Sequence, residues 1–354
     1  MRITAVMPGK PGHPRAIHIY RVTSPLNTIG KKTRHEVAWI HAQSMATGLT
    51  AEQRDRLLSS DIIVMARPVS SNADQVFEFC ALLRSKGAKL VYETDDDLTE
   101  LYRDISKGTK KTSNMFVFLA DAVTVTTQPL ADLMGAFTDR PIYVLPNYIE
   151  HSFFSKRAAA HKRKYSGTLN IMLTGTPTHG EDWIPASNAA YTILEEYPEV
   201  RLLIGGFHPN YIKESEQVKL IPHMPYYAYP TMIAEADIVI AAIDPDDRFN
   251  DCKSAVKALE SWAAKRTLLN GSAGGAAVIA TDSKAYAKTV KHRSNGLLVE
   301  HTDEGYYGAI KSLIDDEHLR TSIQRRGWLD VTQKHSINTG YRKWLSAYTT
   351  IMRS

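Results

Sequence analysis

The stretch IVIAAIDPDDRFNDCKSAVKALE, Ile238 to Glu260, reads as a buried strand, an acidic loop and a helix. IVIAAI (238–243) is a continuous run of β-branched and small apolar residues, and DPDDR (244–248) supplies the turn. Asn250 or Asp251 is placed to cap a helix running through FNDCKSAVKALESWAA. At about 100° per residue, Lys253, Lys257 and Glu260 share one face of that helix, while Val256, Leu259 and Ala263 share another that can pack on a sheet. Like charges four apart disfavour an isolated helix by about 0.2–0.5 kcal/mol, and an anion between the two lysines reverses that sign. A diphosphate suits the helix start, where dipole, N–H groups and ammonium groups act together. A ribose suits Glu260, since a carboxylate accepts from two neighbouring hydroxyls. The other reading is a solvated face with a Lys257–Glu260 ion pair.

Outward from that unit, the same rhythm fills the chain. ITAVM (3–7), DIIVMAR (61–67), KLVYETD (89–95), AVTVTT (122–127) and IYVLPN (142–147) read as buried strands, with helical spacing in 72–87 and 129–137. A second series follows residue 168: LNIMLTG (169–175), VRLLIGG (200–206), IVIAAI, AAVIATD (276–282) and GLLVE (296–300), with helices over 187–198 and 229–236. Two runs of alternating strand and helix predict an α/β protein with two doubly wound, parallel sheets. Ligands in such sheets bind beyond the carboxyl ends of the strands, so two facing domains would share a cleft.

Composition sets the class. The chain has 354 residues, enough for two domains, and its 43% hydrophobic and 23% charged content is that of a globular protein. No apolar run reaches the roughly 20 residues needed to span a bilayer, and MRITAVMPGK turns to Gly, Pro and Lys too early for a secretory signal. A cytoplasmic protein is expected. Cys80 and Cys252 are the two cysteines, read as free thiols with no disulfide framework or metal spacing. The net charge of +5 equals the charge of one segment, HSFFSKRAAAHKRKYSG (151–167), which has five Lys/Arg and no acid. It reads as a solvated basic linker that is also suited to nucleic acid phosphates.

Several loops at the expected carboxyl edges carry candidate groups. PGKPGHP after the first strand has Gly9 and Gly12, which allow close backbone approach or simply form a turn. TGTPTHGED (174–182) offers Gly175, Thr176 and His179 beside a helix start, with Asp182 as an alternative cap. VYETDDDLTEL (91–101) places Asp95, Asp96 and Asp97 at the edge of the first sheet, for orienting an acceptor hydroxyl or moving its proton. Asp97 with Glu100 also has capping-box spacing, and Asp95 with Asp97 is a weaker candidate for a metal pair, so none is expected. Tyr20, Arg21 and Arg67 are further acceptor-side candidates, each with an ordinary structural alternative.

The strand-loop-helix ending in Glu260, the following AAVIATD, SNGLLV (294–299), and ADAVTVTTQPLADLM (120–134) with VLPN (144–147) together resemble the GT-B glycosyltransferases over nearly the whole chain. The retaining group related to sucrose, glycogen and lipopolysaccharide transferases (glycosyltransferase family 4) is the most similar. Within it, bacteriophage and bacterial members with a KSxxKxxE helix match Lys253, Ser254, Lys257 and Glu260. The resemblance implies two Rossmann-like domains facing a cleft, an acceptor domain over 1–150, the linker 151–167, a donor domain over 168–330, and a last helix, 331–354, crossing back to the first domain. It implies transfer of a sugar, glucose by first choice, from a UDP-sugar with retention, no required cofactor, and an acceptor that includes a hydroxymethylated base of phage DNA. A protein, glycan or lipid-linked acceptor fits equally, and an epimerase or a non-catalytic nucleotide-sugar-binding module uses the same scaffold. Gly175, Thr176, His179, Lys253, Ser254, Lys257 and Glu260 would bind the donor, with Lys253, Lys257, Asp95 and Asp96 catalytic. Cys252 departs from the Glu of the family pattern. The TGTPTHGED loop lacks the family's basic pair, and KRTLLNGSAGG (265–275) is an added loop.

Overall fold

A computed structural model describes residues 1–9, 16–67, 70, 72–98, 107–268 and 271–354. Gly12 and Glu100 lie outside the described residues. The chain divides into two compact units, one of residues 1–148, 252–254 and 337–354, the other of 149–251 and 255–336.

The first unit is built on a six-stranded sheet of β1 (Arg2–Met7), β2 (Glu36–His41), β3 (Ile62–Ala66), β4 (Lys89–Thr94), β5 (Ala122–Val125) and β6 (Ile142–Val144). The spatial order is β2-β1-β3-β4-β5-β6, and every pairing is parallel. Strands covered by helices on both faces need apolar residues at every position, and β3 and β5 are buried throughout. The order reverses between β1 and β3, so the crevice of this sheet lies beyond their carboxyl ends. The C-terminal helix Ile337–Arg353 joins this unit, with Trp344, Tyr348 and Ile351 in one core with Ile3, Val22 and Leu26.

The second unit has β7 (Leu169–Gly175), β8 (Val200–Gly206), β9 (Val218–Pro222), β10 (Ile238–Ala241), the two-stranded β11 (Arg266–Thr267) and β12 (Ala273–Gly274), then β13 (Ala277–Thr281) and β14 (Leu297–Val299). Its main sheet is also wholly parallel, ordered β14-β13-β10-β7-β8-β9. Here the reversal falls between β7 and β10. Helices Ile184–Glu196 and Asp303–Asp315 cover one face, burying Ile193, Ile310 and Leu313 against Ile171, Leu202 and Ile240.

Three expectations change. Residues 151–167 are not a solvated linker: His151–Ala160 is helical, with Phe154, Ser155 and Ala158 buried, and belongs to the second unit. One of its five cations, Arg163, pairs with Asp237 at 2.8 Å, and His161 Nε2 lies 2.6 Å from Glu235, while Lys156, Arg157, Lys162 and Lys164 are exposed. The added residues 265–275 contribute the antiparallel pair β11–β12 instead of an open loop. The helix expected from Asn250 onward is broken. A short helix ends at Asp251, residues 252–255 are non-helical, and a new helix runs Val256–Ala263.

Candidate functional site

The break explains the paired lysines. Cys252 is buried in the first unit's core with Val6 and Met65, and its carbonyl accepts from Thr127 Oγ1 at 3.0 Å. Ser254 Oγ accepts from Asn147 Nδ2 at 2.8 Å. Residues 252–254 therefore satisfy their polar groups through the first unit and leave the helical path. Lys253 lies outside the helix and shares no face with Lys257, so the like-charge conflict inferred from spacing does not arise.

Lys257 sits in the first turn of Val256–Ala263, at the carboxyl edge of the second sheet. Its Nζ donates to Tyr229 Oη at 2.6 Å and lies 3.5 Å from Glu260 Oε2, while Tyr229 Oη donates to the same oxygen at 3.3 Å. Glu260 is buried. Burial by itself disfavours the Lys257 ammonium, but Tyr229 and Glu260 more than compensate and its pKa is raised. Burial, then the Glu260 charge, push the Tyr229 phenol up to about 12. An ammonium carries three donors and Tyr229 takes one. The result is a permanently charged cation, fixed in position at a helix start.

The loop after β7 supplies the other wall. His179 Nδ1 lies 2.9 Å from Asp182 Oδ2, and its ring is parallel to that of buried Trp183 at 6.5 Å. A Cβ on Gly175 would come within 2.9 Å of the His179 ring and 3.0 Å of Trp183, so glycine is what allows the imidazole to fold back on the strand end. Thr176 is exposed and bonded to Thr178. Asp182 is no simple helix cap. Burial raises its pKa, but His179, the Asp244 amide and Asn250 Nδ2 hydrogen-bond to it and hold it below the usual carboxylate range. Tyr286, from the segment after β13, is buried, and burial raises its phenol pKa, with Lys257 opposing and Asp182, Glu260 and Tyr229 adding to it. Among them the sequence reading lacks Tyr229 and Tyr286: neither has a diagnostic spacing, and both come from segments rich in turns.

In the first unit, Arg67 follows β3 with φ +63°, a left-handed backbone that costs about 1–2 kcal/mol in a residue with a Cβ. Its guanidinium reaches Asp95 at 2.6 Å and Asp96 at 2.7 Å. Burial pushes the Asp95 carboxyl up to about 6, with Arg67 opposing and Asp96 assisting. Asp97 is fully buried. Arg21 is not presented to solvent: it is 1% exposed, forms a two-pronged pair with Glu93 at 2.7 and 3.2 Å, and lies over the Trp344 ring. Tyr20 is buried beside it, and Gly9 is exposed at φ +91°. The sequence-derived candidates thus form two groups, Arg67–Asp95–Asp96 in the first unit and Gly175, His179, Lys257 and Glu260 in the second. Among the described residues, no three His, Cys, Asp or Glu are grouped to hold a metal ion, and no helix is long and apolar enough to cross a membrane.

Comparison with known proteins gives no matching family model and no matching curated protein. Solved structures do match. Anabaena HepE in complex with UDP aligns at TM-score 0.68 and 13% identity, covering 99% of this chain and 100% of that one. Sucrose-phosphate synthase from Thermosynechococcus elongatus gives 0.66 and 12%, covering 99% and 100%. A glycosyltransferase from Rickettsia africae gives 0.65 and 15%, covering 99% and 98%. At such identities the likeness is one of fold: the chain has the GT-B architecture, an α/β fold of two parallel six-stranded sheets.

Proposed function

We propose that this chain is a glycosyltransferase that takes a sugar from a nucleoside-diphosphate donor, UDP-glucose by first choice, and passes it to an acceptor hydroxyl. The observation that carries this reading is the Lys257–Tyr229–Glu260 cluster at a helix start on the carboxyl edge of the second sheet. When the glycosidic bond to a diphosphate breaks, negative charge grows on the departing phosphate. A fixed, permanently charged Lys257 beside the positive helix end stabilises that charge without reorganising. Glu260 accepts from the ribose hydroxyls, and His179, held by Asp182, lines the donor site with Gly175 and Thr176. HepE was solved with UDP and with UDP-glucose, which supports the choice of donor.

Arg67, Asp95 and Asp96 are proposed to handle the acceptor, with Asp95 taking its proton, since a carboxylate raised to about 6 is a stronger base than an ordinary aspartate. Retention of configuration is proposed on the sequence resemblance. Lys253 and Ser254 belong to the first unit and lie outside the Lys257 helix, so the donor reading rests on Lys257 and Glu260. A hydroxymethylated base in DNA is proposed as one acceptor, with the exposed Lys156, Arg157, Lys162 and Lys164 of segment 151–167 suited to its phosphates and Arg163 taken up by Asp237. The test is UDP release from UDP-glucose with a panel of hydroxyl acceptors, read together with product mass. Glycosylated product supports the reading. Conversion of the sugar without an acceptor identifies an epimerase, and unchanged donor under every condition rejects catalysis.

A further inference from the structure

At the opposite edge of the second sheet, where β7 begins and β10 is entered from Asp237, a pocket of about 340 Å³ opens between Arg163, Arg266 and Arg320. Thr168, Thr267, Thr321 and Gln324 add uncharged polar groups to its lining. It is separated from Gly175 by the whole of β7, a seven-residue strand that spans about 20 Å.

The charges there do not balance. One carboxylate, Asp237, lines the pocket, and Arg163 and Arg266 both pair with it at 2.8 and 2.5 Å. Arg320 instead donates to the carbonyls of Leu313 and Ile314 at a helix end. Glu235 lies two residues before Asp237, but its carboxylate is engaged by His161 and by the Lys164 and Tyr165 amides. Three guanidiniums and one carboxylate leave the pocket at +2. Arg163 Nε is buried with no hydrogen-bond partner among the described residues. Burial above all lowers the pKa of Arg266, with Arg163 and Arg320 adding to it and Asp237 opposing.

We propose that this arginine pocket binds a small phosphate-class anion, either inorganic phosphate or a phosphate monoester. Planar, forked guanidinium donors match phosphate oxygens better than ammonium groups do, and all three cations here are arginines. The volume suits a small ligand. Arg163 comes from the basic segment 151–167 and Arg266 from the added stretch 265–275, so two sequence features that the proposed transfer reaction does not use meet at one place. The inference is independent of the reading of Lys257 and Glu260.

The test is thermal unfolding of the full chain with inorganic phosphate or glucose 1-phosphate, against chloride at constant ionic strength. A saturable rise in Tm of about 2 °C or more with either anion is expected. A larger rise with one than with the other tells the inorganic ion from the monoester. The rise should vanish in Arg320→Gln, and also in Thr321→Glu, which adds a carboxylate to the pocket while leaving every arginine pair in place. It should persist in Lys257→Ala, whose position is at the other edge of the sheet. Absence of a saturable rise with both anions, persistence in Thr321→Glu, or loss in Lys257→Ala would overturn the proposal.

Discussion

Lys257 and Glu260 are coupled by burial. Replacing Lys257 with alanine leaves the Glu260 carboxylate buried without its cation, which should cost about 1–3 kcal/mol in a chemical denaturation experiment. The double replacement Lys257→Met with Glu260→Leu should recover part of that loss, whereas additive losses would show that the pair is not coupled. For Asp95, the proposed transferase activity should rise with pH through about 6 as the carboxylate becomes available. Asp95→Asn should lower kcat roughly 100-fold or more and abolish that limb; a retained limb would place the base elsewhere. At this scale the sequence showed which residues were available but not their partners. Lys257 and Glu260 stand out by helical spacing, while Tyr229 and Tyr286 enter only through tertiary packing. Arg21 resembles an exposed cation in the sequence, yet Glu93, 72 residues away, takes it into the core.

Backbone geometry ties the elements of the second unit to its site. Gly206 ends β8 at φ +85°, and a Cβ there would stand 2.6 Å from the Gly175 carbonyl. Gly206→Ala should therefore destabilise the unit by at least about 1 kcal/mol and disturb the loop carrying His179, read as a lower Tm together with weaker donor binding. Asp182 and Asp237 both bind loops and helices to this sheet, and both are held below the usual carboxylate range by their partners despite burial. The folded state therefore binds fewer protons than the unfolded one, and the stability they contribute is present above the ordinary Asp value of about 3.9 and lost as pH falls through their lowered values. Asp237→Asn should flatten that acid loss in pH-dependent denaturation; an unchanged acid slope would contradict it. Strands buried on both faces were legible because nothing but apolar residues suits them. β2 and β9 were not, since EVAWIH and VKLIP are edge strands of mixed character. The break at 252–255 was hidden for another reason: helical periodicity continues through it, and the bonds from Thr127 and Asn147 are tertiary contacts that periodicity does not show.

Over the whole chain, the fold was readable at 13% identity to HepE because the burial pattern of two parallel sheets survives when individual residues do not. Site chemistry has no such redundancy, and one lysine, one tyrosine and one glutamate carry the functional reading. Calorimetric titration of UDP-glucose and other nucleoside-diphosphate sugars into the native chain, Lys257→Ala and Glu260→Ala tests that reading most directly. Saturable binding of one donor to the native chain, weakened about 10-fold or more in each variant, is the predicted result. Equal affinity in all three proteins, or no binding of any nucleoside-diphosphate sugar to the native chain, would contradict it.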